Sequence, residues 1–326
     1  MKYKIVLIEE RYSNHDIEKA VFSQADCEVI EAGYVKDPQE LSKICADADG
    51  ILVNLFKIDK GFLSKLQKCK VIGRYGIGYD NVDVKAAAEK GIKVVNVPDY
   101  CSEEVVEHIL ALLFSAVRNI AIKDLLVREG KWNIKGTIPV HRISGKKLGI
   151  VGYGKTGTLL HKRVQSLGFS EIIVFDRSAD KKAEKLKQNA GETKASFADL
   201  DYLVANSDFI SLNLPLTDKT KHLLGAREFG MMKKNAIIIN ASRGGVIDTE
   251  ALISALKNKK IAGAALDVHE IEPLPLNSKL FEINNIVITD HTAWHSIESQ
   301  EDLQRFNATN VLNVLLGKPC ASIVNG

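Results

Sequence analysis

Gly152, Gly154 and Gly157 stand in G-x-G-x-x-G spacing after an apolar run, Leu148 to Val151. A segment with apolar residues at Leu159, Leu160, Val164 and Leu167 follows and stops at Gly168. A second apolar run, Ile172 to Phe175, closes on Asp176. The order reads as strand, tight turn, helix, strand. In that setting the first glycine permits the turn, the second lets a pyrophosphate approach the backbone, and the third lets helix pack on strand. The helix start offers unpaired N–H groups and partial positive charge to phosphates. An acid about 20 residues past the glycines can bond a ribose 2′-hydroxyl. A glycine-rich turn alone is a weak signal, but these flanking features favour a dinucleotide site. Asp176 would repel the extra phosphate of NADP and favours NAD, whereas Arg177 beside it acts in the opposite sense.

Four further clusters follow apolar runs: NLPLT at 213–217, NASRGG at 240–245, DVHEIEP at 267–273 and DHTAW at 290–294. Each falls at the carboxyl end of an expected parallel strand, where open α/β sheets hold ligands. Arginine, glutamate and histidine thus converge near one cofactor. Bland readings stand beside the chemical ones. Arg243 could be a surface ion pair, worth ~0–1 kcal/mol. His291 could be a turn histidine, and Glu272 plain loop before Pro273, with Glu270 a competing acid. His108 and His269 read as structural. In the first half, RYGIGYDNVD at 74–83 is a glycine-rich turn just past a strand. It fits a ligand turn, and equally a structural turn in which Asp80 or Asn81 caps the next helix.

The elements that must hold these residues alternate along the chain. Strands are expected at Ile5–Ile8, Glu28–Ile30, Ile51–Val53, Val71–Ile72 and Val94–Val95, with a weak helix over 14–25. Such spacing implies a parallel sheet with helices on its faces. Pro98 closes this block, and Ser102 can cap a helix whose first turn holds Glu103 and Glu104. From Val105 to Val117 that helix is apolar on almost every side and must be buried, between domains or against a second subunit. Residues 128–147 form a long polar connection of a kind often functional or partner-bound. Strands at Phe209–Leu212, Ala236–Ile239, Ile261–Leu266 and Ile286–Ile288 complete a doubly wound sheet. A last helix over 296–317, ended by Gly317 and Pro319, is expected to cross back onto the first domain. The expected domains are 1–100 with 295–326, and 101–294.

Apolar residues make up 45% of the 326 and charged residues 26%, as in ordinary globular proteins. A net charge of +3 is too small to argue for nucleic acid or an anionic membrane. The lysines between 181 and 187 read as a solvated helix face. Five cysteines without a C-x-x-C pair suggest free thiols in a reducing compartment. The N-terminal apolar run is too short for a signal peptide, and no stretch reaches the ~20 apolar residues of a membrane span. A cytoplasmic location is expected, with no metal site.

RYGIGYDNVD, NVPDYCSEEVVEH, GYGKTG, SLNLPLTDKTKHLLG, NASRGGVIDTEAL, ALDVHEIEP and HTAW occur in this order over essentially the whole chain. In these motifs the chain resembles the D-isomer-specific 2-hydroxyacid dehydrogenases. It is most similar to the C-terminal-binding-protein-like and phosphoglycerate-dehydrogenase-like branch. The resemblance implies an α/β protein of two doubly wound parallel-sheet domains, a flavodoxin-like substrate domain and a Rossmann NAD-binding domain, with an interdomain cleft. It implies hydride transfer between NAD and C2 of a D-2-hydroxy acid or 2-keto acid, by a catalytic trio of Arg243, Glu272 and His291. Arg243 would grip the substrate carboxylate bidentately. His291 would exchange the proton of the C2 oxygen. Glu272, selected over Glu270 by the D-V-x-x-x-E-P pattern, would pair with the imidazole, raise its pKa and fix its tautomer.

The implied cofactor contacts are Tyr153, Gly154, Lys155, Thr156 and Gly157 at the diphosphate, and Asp176 with Arg177 at the ribose. Asn213, Pro215 and Thr220 would border the adenine side. Ala241, Arg243, Asp267 and His291 would lie at the nicotinamide end, with Asp267 on the carboxamide. On the substrate side, Ile77 and Gly78 would offer N–H groups to the carboxylate and Arg74 would reach a second anionic group. Tyr75, Trp294 and Phe56 would bear on the choice of side chain. The chain departs from the family at Asp290, where a proline is usual, and at Asn213 and Thr156. Asp290 would raise the His291 pKa or face solvent. A small-molecule 2-keto or 2-hydroxy acid is the expected partner, without nucleic acid or membrane, in a homodimer. Two alternatives remain: phosphoglycerate dehydrogenase, and an NAD(H)-sensing scaffold like the corepressors of the same branch.

Overall fold

Short runs of Val, Ile and Leu buried on both sides account for the inner strands, as expected where helices cover both faces of a parallel sheet. A computed structural model describes residues 2–8, 12, 14–33, 35, 37–132, 139–189, 191 and 193–326. The chain divides into two units, Met1–Cys101 with His295–Gly326, and Ser102–Trp294. Cys101 falls in the first of them.

The first unit holds β1 (Tyr3–Ile8), α1 (Asp16–Phe22), β2 (Cys27–Glu31), α2 (Pro38–Cys45), β3 (Gly50–Val53), α3 (Lys60–Ser64), β4 (Val71–Arg74), α4 (Val84–Glu89) and β5 (Lys93–Val95). Its strands pair in parallel in the order β2-β1-β3-β4-β5, the flavodoxin-like arrangement. Asp83, and neither Asp80 nor Asn81, caps α4: its Oδ1 accepts from the Ala86 N–H at 2.9 Å. Asn81 instead donates to the carbonyls of Asn54 and Phe56 at 2.9 and 2.8 Å. The chain's last helix, α12 (Ile297–Leu315), belongs to this unit and covers β3 and β4. Ser296 and Ser299 cap it reciprocally. Gly73 lets it sit close, since a Cβ there would come within 2.5 Å of Asn307 and Val311.

The second unit opens with α5 (Ser102–Arg118) and α6 (Ile120–Arg128). It continues through β6 (Lys147–Val151), α7 (Lys155–Arg163), β7 (Glu171–Phe175), α8 (Ala179–Gln188), β8 (Ala195–Phe197), α9 (Leu200–Asn206) and β9 (Phe209–Leu212). It ends with α10 (Ala226–Met231), β10 (Ile237–Asn240), α11 (Thr249–Lys257), β11 (Gly263–Leu266) and β12 (Ile286–Ile288). All pairs are again parallel, in the order β12-β11-β10-β9-β6-β7-β8. The order reverses between β6 and β9, the switch point at which such sheets bind dinucleotides. No apolar run announced β8, which is short and half-buried. Within the single chain only one face of α5 is covered. Val106, Ile109, Leu112, Leu113 and Val117 are buried along one face, while Phe114 is exposed. Within the polar connection, residues 133–138 lie outside the described residues. Among the described residues no single helix is long and apolar enough to cross a membrane.

Candidate active site

The glycine turn joins β6 to α7. Gly152 has φ +95, a region costly for a residue with a side chain, and a Cβ there would overlap the Asn213 carbonyl. A Cβ on Gly157 would overlap the Gly152 carbonyl. Gly154 differs: it caps α7, is exposed, and faces open space. No side chain caps α7, so its first N–H groups keep their affinity for an anion. Across the switch point, the buried Oδ1 of Asn213 has no hydrogen-bond partner. This cradle fits the diphosphate of a dinucleotide.

The residues expected to line the dinucleotide differ in how far they are exposed. The Tyr153 ring is fully buried, its hydroxyl meeting His161 Nδ1 at 2.6 Å and the ring set in a T-shaped contact with Phe197. At this position only the backbone is left to line a diphosphate. Lys155 and Arg177 are exposed, and Thr156 is half-buried. Asp176 accepts from the Tyr153 and Ser178 N–H groups, each at 2.8 Å, and from Lys182 Nζ at 2.6 Å. Burial pushes its carboxyl up, but the lysine and the two N–H groups outweigh this and hold it below the ordinary value. Thr220 is buried and donates to the Pro215 carbonyl at 2.7 Å, closing its own turn.

Arg243, Glu272 and His291 follow β10, β11 and β12, three adjacent strands. The Arg243 turn is knitted by Asn240, fully buried at the end of β10. Asn240 donates from Nδ2 to the Arg243 carbonyl at 3.0 Å, and its Oδ1 accepts from the Ser242 N–H and hydroxyl at 3.0 and 2.8 Å. Arg243 donates to the Ser242 carbonyl at 2.8 Å and is half-buried, as Ala241 is. His291 Nδ1 and Glu272 Oε2 lie 2.7 Å apart. The other oxygen of Glu272 accepts from the His269 N–H at 2.8 Å. Burial raises the Glu272 carboxyl, but the bonds from His291 and His269 prevail and hold it below its ordinary value. Glu272 is thus ionised at neutral pH and fixes the ring by one nitrogen. Asp290 is exposed and accepts from the Thr292 hydroxyl at 3.0 Å.

Asp267 lies under this loop. Its Oδ1 accepts from the Thr289 hydroxyl at 2.6 Å and the Thr292 N–H at 3.0 Å, with His108 Nε2 at 3.3 Å. Its Oδ2 accepts from the Ala293 N–H at 3.0 Å. The side chain is fully buried. Burial opposes ionisation, but the ring of donors lowers its pKa to about 2. These contacts tie the Asp267 carboxylate to the loop that presents His291. His108 and His269 serve that loop too, through Thr289, in keeping with a structural reading. Trp294 donates from Nε1 to the His291 carbonyl at 3.0 Å.

In the first unit Tyr75 is buried, and its hydroxyl donates to Glu18 at 2.7 Å. A bearing of Tyr75 on substrate choice would therefore act through packing within this unit. Arg74 folds over Gly76 and bonds the Tyr75 carbonyl. Ile77 is exposed and its carbonyl accepts from Asn96 Nδ2 at 2.7 Å, which fixes the peptide that presents the Gly78 N–H.

A glycine turn at a switch point, with an ionised carboxylate bracing a histidine at the same sheet edge, is an arrangement that a nucleotide-dependent oxidoreductase can use. Residues 110–293 match the D-isomer specific 2-hydroxyacid dehydrogenase, NAD binding domain. Over 276 residues the chain is 39% identical to the glyoxylate reductase of Thermococcus litoralis, covering 82% of this chain and 81% of that one. It is 38% identical over 297 residues to the D-3-phosphoglycerate dehydrogenase of Methanocaldococcus jannaschii, covering 91% of this chain and 55% of that relative. The apo D-lactate dehydrogenase of Escherichia coli has a TM-score of 0.82 at 28% identity, covering 99% of this chain and 100% of that one. The chain belongs to the D-isomer-specific 2-hydroxyacid dehydrogenases, NAD-dependent oxidoreductases acting on CH–OH donors.

Proposed function

We propose that the protein interconverts a short 2-keto acid and its D-2-hydroxy acid, with glyoxylate as the first substrate to try. The reading is carried by the 2.7 Å pair of His291 and Glu272 at the sheet edge that also bears Arg243. When bound, NADH supplies the hydride that reduces the carbonyl carbon. The Arg243 fork holds the substrate carboxylate and so orients C2, and orientation of this kind lowers a barrier by ~7–11 kcal/mol. His291, held through Nδ1, keeps Nε2 for the substrate and gives its proton to the oxygen where negative charge develops. In the oxidative direction it takes the alcohol proton. Glu272 fixes the tautomer and balances the imidazolium. Ile77 and Gly78 offer N–H groups for a carboxylate, supported by the peptide that Asn96 fixes.

The likeness to glyoxylate reductases supports a small group on C2. NADH oxidation with glyoxylate, pyruvate, hydroxypyruvate, branched and aromatic keto acids and phosphohydroxypyruvate tests the reading. Turnover of phosphohydroxypyruvate alone would make the protein a phosphoglycerate dehydrogenase. Turnover of none, with NADH still bound, would make it a dinucleotide-responsive scaffold.

A homodimer through α5 and α6 belongs to the same proposal. No residue of α6 is buried, and Phe114, Ile120, Leu125 and Val127 are exposed on this helix pair. A second copy would cover apolar surface that is costly to leave in water. The five free cysteines support a reducing, cytoplasmic location.

A further inference from the structure

Four described residues other than glycine have left-handed backbone: Asn119, His222, Lys259 and His291. Two are histidines, and both set their rings against glutamates of one short loop. His291 meets Glu272, and His222 Nε2 meets Glu270 Oε1 at 2.5 Å. Left-handed backbone at a histidine is uncommon and persists where its surroundings hold it. The catalytic reading uses the first pair and leaves the second without a task.

Glu270 is fastened twice. Its Oε1 faces His222, and its Oε2 accepts from the Thr249 N–H at 3.1 Å. His222 in turn donates its N–H to the Gly245 carbonyl at 2.8 Å, two residues past Arg243. Between these ties Gly244 lies so close to the His269–Glu270 backbone that a Cβ would overlap the His269 carbonyl. The loop bearing Glu272 and the turn bearing Arg243 are therefore pressed together, and the second histidine–glutamate pair closes the junction from outside.

We infer that His222 and Glu270 are positioning residues for the reaction: they hold the Glu272 loop against the Arg243 turn, so that the proton donor and the carboxylate grip keep a fixed relation. This rests on the roles given above to Arg243, Glu272 and His291. A pair that merely stiffened the surface would change the melting temperature and leave the kinetics alone.

The test uses the full chain and the best keto acid of the panel. Steady-state kinetics, NADH affinity by fluorescence titration and the melting temperature are measured for His222→Ala, His222→Gln, Glu270→Ala and the Ala–Ala double variant. Misplacement of about 1 Å can cost ~10²-fold in rate, so we expect His222→Ala to lower kcat about 10-fold or more and to raise the keto acid KM, with the NADH Kd changed less than about threefold. Glu270→Ala is expected to match it, and the double variant to be no worse than the poorer single one. His222→Gln, whose amide can replace the ring N–H, is expected to recover most of kcat. The inference is overturned if kcat and KM of His222→Ala stay within about twofold of the parent, if glutamine rescues nothing, or if NADH affinity falls as far as kcat/KM. Glu270 is at the surface, so Glu270→Ala decides the matter should His222→Ala not fold. His291→Ala is run alongside: parent-like turnover in that variant would sink the catalytic reading itself, whatever the His222 variants do.

Discussion

His291 depends on three neighbours for its place: Glu272 at Nδ1, Trp294 at its carbonyl, and Asp267, whose own carbonyl accepts the His291 N–H at 2.8 Å. Removing the imidazole by His291→Ala is expected to cut kcat by about 10²–10⁴ while NADH binds as before. Arg243→Ala is expected to raise the keto acid KM and lower kcat, again with NADH retained; equal loss of both ligands would contradict its assignment to the carboxylate. Asp267 makes a prediction of another kind. Its carboxyl titrates at about 2 in the fold against an ordinary 3.8, so the unfolded chain takes up the proton first. The stabilisation is full above the ordinary value and is lost as pH falls toward 2, amounting to about 2 kcal/mol. Urea denaturation followed by circular dichroism between pH 5 and 2 should reveal this loss, and Asp267→Asn should remove that part of the slope. The variant should also be less stable at pH 7 by about 1–3 kcal/mol, since its amide cannot accept from all the donors the carboxylate satisfies.

At the scale of elements, two glycines decide how closely segments meet. In Gly73→Ala the new methyl would strike Asn307 and Val311 of α12, the helix that covers β3 and β4. Overpacking of this kind costs about 1–3 kcal/mol, so a fall of several degrees in the melting temperature is expected. Gly244→Ala would push the His269 carbonyl away from the Arg243 turn. It should lower kcat/KM for the keto acid far more than NADH affinity, and a variant that lost both alike would speak against local displacement. The strands were legible because a few consecutive branched residues bury both faces of a parallel sheet. The half-buried β8 escaped because three residues ASF carry no such run. Helix caps were less legible: Asp80, Asn81 and Asp83 are all competent by type, and only the path of the chain into α4 selects Asp83.

At the scale of the whole molecule, the α5–α6 pair carries a run of exposed apolar residues. Ile120 and Leu125 are 56% and 54% exposed, an unusual cost for an apolar helix facing water. Leu125→Glu should shift the protein from dimer to monomer in light scattering coupled to size-exclusion chromatography. A parent that is monomeric at micromolar concentration would remove the proposal of a homodimer.

The residues alone determined the family, the parallel sheets and the glycine turn, because these are written in neighbouring positions: a run of branched side chains, a spacing of glycines, an acid at the end of a strand. They also placed arginine, glutamate and histidine after successive strands. The division of labour between Glu270 and Glu272 belongs to the tertiary structure. Their partners lie 48 and 19 positions away in the chain, and two carboxylates two residues apart are alike until the loop is folded. The same holds for Tyr153 and Tyr75, whose types suit a ligand but whose rings the packing turns inward, since a large aromatic surface gains most where water is excluded.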